Sequence, residues 1–348
     1  MYYIGYDIGS SSVKIALVDA KSQKTLHIIN EPQTEMPIKA IQLGWAEQDP
    51  LLWWKHVCQG TKRIIAEARI DSKKIKAIGI SYSKNGKELQ VAANKEVILA
   101  LGAFNSPQLL QLSGVGNPEL LNKHNIKIIH ELNGVGENLQ DHINAPIMYQ
   151  LNQSFTANDV FHKPSVRIAA GLDYIFNRKG LLHMGVAYAG GFFKTNNSLE
   201  TPDIQSLVLM FSSTDPGGAP HKFPGVTVVC TLLRPESRGY VALKTLDPRD
   251  HPIIQPNYFA EKKDREVMVE GIRISRDIIN QKAFDEFRGK EVAPGEDKTS
   301  YEDLENFIRE KAETIYHPVG TCKMGNDENA VVDDKLRVRG VENLRVVD

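Results

Sequence analysis

In the stretch Tyr316–Gly325, YHPVGTCKMG, a histidine is followed by a glycine turn, a hydroxyl, a thiol and a second glycine. A side chain held by such a turn can act as a general base, because the unperturbed imidazole pKa of about 6.5 lies near working pH. His317 could equally be an ordinary surface or core histidine. A second constellation stands near the start, where Asp7 precedes Gly9-Ser10-Ser11-Ser12 and Lys14 follows. Its backbone N–H groups and hydroxyls could cradle a phosphate while Asp7 holds a metal or its water. A plain Gly-Ser hairpin explains the same residues. A third candidate is the turn Gly102-Ala103, between the β-branched strand Glu96 to Leu99 and a helix expected to begin at Ser106-Pro107. A strand, glycine turn and helix start aim N–H groups at a ligand, and ordinary βα packing accounts for them as well. Cys58, Cys230 and Cys322 are too far apart for a zinc site or a disulfide framework, so no metal centre is expected and a reducing, cytoplasmic setting fits.

The elements that would position these groups can be read from periodicity. YYIGYDIGSSSVKIALVDA has the pattern of a hairpin. Asp49-Pro50 opens a helix with Trp54, Val57, Thr61, Ile65 and Ala68 on one face, and IKAIGIS follows as a short buried strand. Asn85-Gly86 marks a second hairpin. NPELLNKHNIKIIHEL reads as a short helix and a strand, and NGVGENLQDH as a glycine-rich loop ending in Asp141-His142. Beyond it, short strands, a helix from Ser165 to Asn177 and turns at Asp215-Pro216-Gly217-Gly218 and Asp247-Pro248 have the texture of an α+β domain. Arg238-Gly239 reads as a turn. Asp264 to Asn280 carries Val267, Met268, Ile272, Ile274, Ile278 and Ile279 at helical spacing. Thr299 and Glu302 form a capping box for a last helix, with Tyr301, Leu304, Ile308 and Ala312 inward. His142, His221 and His251 read as structural.

The whole chain narrows the function classes. At 348 residues, with 41% apolar and 24% charged residues, it is long enough for two or three ordinary globular domains. A net charge of -1 gives no basic footprint for nucleic acid or an anionic membrane, so a small-molecule partner is expected. Apolar runs such as Val97 to Ala100 fall short of the roughly 18 residues of a membrane span, and the start has no basic signal-peptide region.

Two family resemblances organise these motifs. The order DIGSSSVK, GWAEQDPLLWW, IKAIGIS resembles the amino-terminal end of the FGGY carbohydrate kinases, xylulokinase-like, over residues 1–81. The resemblance implies part of a ribonuclease-H-like ATPase domain, with Asp7, Gly9, Ser10 and Lys14 facing ATP phosphates. Nothing after Ser83 continues it. GAFNSPQLLQLSGVG, GVGENLQDH, SRGYVALKTLDPRDHPIIQPNYF, YHPVGTCKMG and the closing NLRVVD resemble the glucose–methanol–choline (GMC) oxidoreductases, near the choline dehydrogenase branch, over residues 82–348. That resemblance implies an FAD enzyme in which a small alcohol gives its hydroxyl proton to His317 and its hydride to the flavin, with FAD contacts at Gly102, Ala103, Asn138 and Asp348.

The sequence departs from the family in three ways. The G-x-G-x-x-G turn that seats the FAD pyrophosphate is missing, and the kinase-like segment stands in its place. The family's second catalytic Asn or His would fall beyond Asp348. Tyr188 precedes Ala189-Gly190-Gly191-Phe192 where choline-type members carry a glutamate. The expected fold is therefore a composite of α/β and α+β parts: a partial ATPase piece (1–81), incomplete FAD-binding elements (82–145), a substrate domain (146–315) and a return to the FAD-binding domain (316–348). The corresponding expectation is a chimeric alcohol oxidoreductase with weak flavin retention. The alternatives are a kinase fragment and an inactive fusion.

Overall fold

A computed structural model describes residues 2–8, 13–19, 24–32, 50–68, 81–84, 87–90, 93, 96–183, 185, 187–215 and 217–347. In 2–8 (apart from Ile4), 50–54, 81–84 and 87–90 it describes the backbone alone. Packing divides the chain into two units, Met1–Val135 with Cys322–Asp348, and Gly136–Thr321.

In the first unit the alternating start forms the expected hairpin. β1 (Tyr2–Ile8) runs antiparallel to β2 (Val13–Asp19), and β2 pairs in turn with β3 (Thr25–Glu31). On β2 the side chains of Val13, Ile15 and Leu17 are fully buried and Lys14 between them is exposed, so one face of the meander is apolar. Helix α1 (Pro50–Glu67) covers that face with Ile64 fully buried and Val57, Ile65 and Ala68 at the margin. The buried face is thus centred on Ile64, one position from the expected Ile65. Burying each such side chain stabilises by roughly 1.5–3 kcal/mol. Asp49, residues 75–80 of the expected IKAIGIS strand and Asn85-Gly86 lie outside the described residues, and Ser81 opens β4. Strands β4 (Ser81–Lys84) and β5 (Lys87–Gln90) pair antiparallel across the Asn85-Gly86 position, as that dipeptide predicts.

The same unit contains a small parallel arrangement. β6 (Val97–Leu99) pairs with the closing strand Leu344–Val346, and Arg345 Nε donates to Glu96 Oε2 at 2.7 Å. Helix α2 (Gly102–Leu112) begins at the glycine turn, four residues before the expected Ser106-Pro107 start, and Pro107 lies inside it. The Ser-Pro signal is local, whereas burial of Ala103 and Ser106 extends the helix upstream. Ser106 Oγ accepts the N–H of Leu101 at 3.2 Å. Beyond α2 come β7 (Val115–Gly116), α3 (Pro118–Lys123) and β8 (His130–Glu131), with β7 and β8 parallel. Asn117 caps α3 by accepting from the N–H groups of Glu119 and Leu120. Leu99, Leu110, Val115, Leu132, Val331 and Val346 form the core between these elements.

The second unit is built on β9 (Ile143–Leu151). After it come α4 (Ala157–His162), α5 (Pro164–Asn177), β10 (Ala187–Phe193), β11 (Ile204–Leu209), β12 (Gly225–Leu232), β13 (Tyr240–Ala242), β14 (Ile253–Gln255), α6 (Lys262–Ile279), β15 (Arg288–Ala293), α7 (Tyr301–Lys311) and β16 (Glu313–Thr314). The antiparallel sheet has the order β10-β11-β12-β9-β15, and β16 also pairs with β9. Ile143, Ala145, Ile147, Tyr149 and Leu151 all point into the core under α6 and α7. Pro146 is tolerated in this inner strand because of its register. On the edge away from β12, β15 pairs with residues 148–151 and β16 with 143–144, so Pro146, which has no N–H, falls in the gap between them.

Two local expectations shift here. The last helix is capped by Ser300 and Asp303, one residue beyond Thr299 and Glu302; Ser300 Oγ accepts the Asp303 N–H at 3.0 Å and donates to its carboxylate at 2.8 Å. Leu304 and Ile308 are fully buried as expected. On α6 the buried stripe includes Gly271 and Ser275, with Ile274 and Ile278 at its edge. Arg238-Gly239 is not a turn. Gly239 exchanges two 2.9 Å backbone hydrogen bonds with Leu139. A Cβ there would lie 2.0 Å from the Gln255 carbonyl oxygen, so the glycine serves a close backbone approach. Gly239→Ala is expected to destabilise the protein by about 1–3 kcal/mol, seen as a lower denaturant midpoint with unchanged slope.

Candidate active site

His317 sits in the second unit, three residues past the end of β16, and is exposed. What holds it is the carboxylate of Asp141, which is only 8% exposed. Asp141 Oδ1 accepts the backbone N–H of His317 at 2.9 Å, and Oδ2 accepts the hydroxyls of Tyr258 and Thr314. Thr314 Oγ1 in turn accepts the Tyr316 N–H at 2.9 Å. Tyr316 stands at φ +62 and is 82% exposed, a backbone conformation uncommon for an aromatic residue that these two bonds enforce. Burial, then the bond to Asp141, pushes the Tyr258 hydroxyl up to about 12.

The glycine of the motif has a backbone reason. The segment before Asp141 pairs with the one after His317: Gln140 and Val319 exchange two 2.8 Å bonds, and Gly136 N–H donates to Thr321 at 2.9 Å. Gly320 adopts φ +102, and a Cβ on it would come 2.5 Å from the Asn138 carbonyl oxygen. Asn138, itself at φ +64, donates from Nδ2 to the Gly320 carbonyl at 3.1 Å and accepts Arg238 Nε at Oδ1 at 3.1 Å. Its amide therefore clamps the histidine loop.

Sequence reasoning set His142 aside, but the fold brings it to His317. The two rings lie edge to face, 6.2 Å between centroids. His142 Nδ1 is 2.9 Å from the Leu232 carbonyl oxygen. A carbonyl only accepts, so Nδ1 carries the proton and Nε2 of the neutral ring is left as an acceptor. His142 also forms one wall of a cleft of about 420 Å³ with Phe192, Pro202, Leu233 and Arg234. No signal in the sequence marks Arg234, or Asp141, Tyr258 and Thr314, whose partners are distant in the chain.

The other candidates fall in the first unit. Gly102 has φ +78 at the start of α2, and among the described residues a Cβ there would meet nothing within 4 Å. Such a backbone at a helix N-terminus can be approached by an anionic or carbonyl group, while Ala103 beside it is buried. On β1 and β2, Asp7 and Lys14 are backbone partners in register. Gly9, Ser10 and Asp348 lie outside the described residues. Among the described residues no group of three or more His, Cys, Asp or Glu side chains could hold a metal, and no helix is long and apolar enough to cross a membrane.

The mixed α/β fold is shared with FAD-dependent oxidoreductases. A variant formate oxidase of Aspergillus oryzae RIB40, whose FAD modification was the subject, superposes with a TM-score of 0.70 at 29% identity, covering 78% of this chain and 52% of that one. The pyridoxine 4-oxidase of Mesorbium loti has a TM-score of 0.66 at 24% identity, covering 80% and 50%. Residues 55–144 and 235–348 match the two GMC oxidoreductase domains, and over these stretches the chain belongs to the GMC oxidoreductase family. It is 40% identical over 293 residues to an oxygen-dependent choline dehydrogenase of Cronobacter sakazakii, covering 83% of this chain and 51% of that protein. It is 42% identical over 276 residues to an alcohol dehydrogenase [acceptor] of Pseudomonas putida, covering 78% and 50%. The chain thus spans about half the length of these relatives. Residues 2–99 match the amino-terminal domain of the FGGY family of carbohydrate kinases, overlapping the GMC match from 55 to 99.

Two outcomes test the Asp141 cluster. Asp141→Ala leaves three donors without their acceptor, at about 1–3 kcal/mol for each that stays buried and unpaired, and calorimetry should show a correspondingly lower melting temperature. The raised Tyr258 pKa implies stability that is complete below pH 10 and lost as pH rises through about 12. Tyr258→Phe should therefore flatten that part of the alkaline unfolding curve and remove one late-ionising tyrosine from an ultraviolet titration.

Proposed function

We propose that the second unit performs the alcohol-binding and proton-accepting part of a flavin-dependent alcohol oxidation. The observation that carries the reading is His317 fixed through its backbone by Asp141, with the acceptor-bearing ring of His142 beside it. A substrate hydroxyl in reach of this pair can pass its proton to His317 as the carbon is oxidised, a contribution of typically 10²–10⁴-fold for a positioned base. His142, with its tautomer set by Leu232, orients the hydroxyl. The exposed edge at Tyr316 and His317 leaves the base accessible. FAD, when bound, supplies the hydride acceptor. Toward it the reading assigns Gly102 and Ala103 at the α2 turn, Asn138 as the loop clamp, and Asp348. The named activities of the choline and alcohol dehydrogenase relatives support a small alcohol as substrate.

The finer organisation is part of the same proposal. Residues 1–81 are a ribonuclease-H-like kinase piece joined to GMC elements at 82–145 and 316–348 around the substrate domain 146–315, in a cytoplasmic setting that keeps the three cysteines as thiols. The FGGY match over residues 2–99 supports a second reading for that piece alone, a phosphate cradle of Asp7, Gly9, Ser10 and Lys14.

With FAD, a primary alcohol and an artificial electron acceptor supplied, His317→Ala should lower turnover by about 10²–10⁴-fold at unchanged melting temperature. Undiminished turnover in that variant would overturn the reading.

A further inference from the structure

We propose that the alcohol taken by this site carries a carboxylate, and that Arg234 selects it. The inference rests on the oxidation reading above, and it is the cleft beside His142 that supplies the chemistry. Its volume of about 420 Å³ suits a small molecule. His142 is part of its wall, and its Nε2 remains an acceptor for a hydroxyl because Nδ1 faces the Leu232 carbonyl. Another part of the wall is Arg234, an exposed guanidinium with no ion pair or hydrogen bond among the described residues. Phe192, 61% exposed, and Leu233 and Pro202 supply apolar surface for a short carbon chain.

The wall holding Arg234 is fixed on both sides. Leu233 N–H donates to the Asp203 carbonyl at 2.9 Å. Two and three residues on, the N–H groups of Glu236 and Ser237 donate to the two oxygens of Asp264, at 2.8 and 2.9 Å. Asp264 is 1% exposed at the start of α6, so the backbone presenting the guanidinium is tied to the core. A planar guanidinium carried on backbone held this way can match a carboxylate in bidentate geometry. A quaternary ammonium meets the opposite conditions: among the described residues that line the cleft there is no carboxylate, the one benzene ring is that of Phe192, and the one permanently charged side chain is the cationic Arg234. The geometry thus suits a short hydroxycarboxylate, hydroxyl toward His142 and carboxylate toward Arg234.

Isothermal titration of the purified chain with 4-hydroxybutanoate, butan-1-ol and choline tests this directly. The hydroxycarboxylate should bind at least about tenfold more tightly than the other two. Arg234→Gln should erase that preference at unchanged melting temperature, and Arg234→Lys should retain part of it. Equal or tighter binding of choline, or a preference that survives in Arg234→Gln, would refute the assignment. If 4-hydroxybutanoate binds with the preference but is not oxidised when FAD and an acceptor are present, the oxidation reading fails and the anion site stands. If His317→Ala abolishes turnover while choline is the tighter ligand, the anion site fails alone.

Discussion

The buried carboxylate of Asp141 is the constraint on which the second unit depends. A charge that is nearly out of water is tolerated only when its lone pairs are taken up by donors. The donors here come from Tyr258, Thr314 and His317, which are 117, 173 and 176 residues away along the chain. Satisfying one side chain therefore brings together the end of the glycine loop, the approach to α6 and the segment after α7. The backbone of His317 is one of those donors, so the same bond that stabilises the fold also sets where the imidazole begins.

The central strand makes that meeting geometrically possible. Asp141 stands two residues before β9, and the first residues of β9 pair with β16, so Thr314 is delivered next to the carboxylate by ordinary sheet register. Pro146 permits this division of the edge, since the absent N–H lies where neither β15 nor β16 reaches. On the other edge β12 runs to Leu232, whose carbonyl fixes the tautomer of His142. A sheet built for burial thereby aligns two imidazoles and ends at the cleft containing Arg234. Packing, rather than any single motif, decides which histidines face each other.

The chain combines segments with two different affinities. The meander and α1 bury Val13, Ile15, Leu17 and Ile64 in a small core of their own, while Leu99, Leu110, Val331 and Val346 form another around the parallel strands. The kinase-like and GMC-like matches overlap from residue 55 to 99, which begins within α1 and ends with β6. A helix that is amphipathic in either family's pattern can serve both descriptions, because its requirement is one apolar stripe.

Much of the local structure was legible because its causes are local. The β1–β2 hairpin follows from alternation, β4 and β5 meet across Asn85-Gly86, and Leu304 and Ile308 are inward at helical spacing. Motif order also pointed to the oxidoreductase family. Where a residue's role depends on a distant neighbour, the reading shifted: α2 begins at Gly102 under burial that Ser106-Pro107 does not reveal, and Gly239 pairs with Leu139 instead of turning. His142 looked ordinary because what distinguishes it is 6.2 Å away in space and 175 positions away in the chain, His317 minus His142. Periodicity and turn chemistry are properties of neighbouring residues and can be read in one dimension. The carboxylate that holds His317, the carbonyl that sets the second imidazole and the arginine in the cleft acquire their meaning only from what the folded chain places against them.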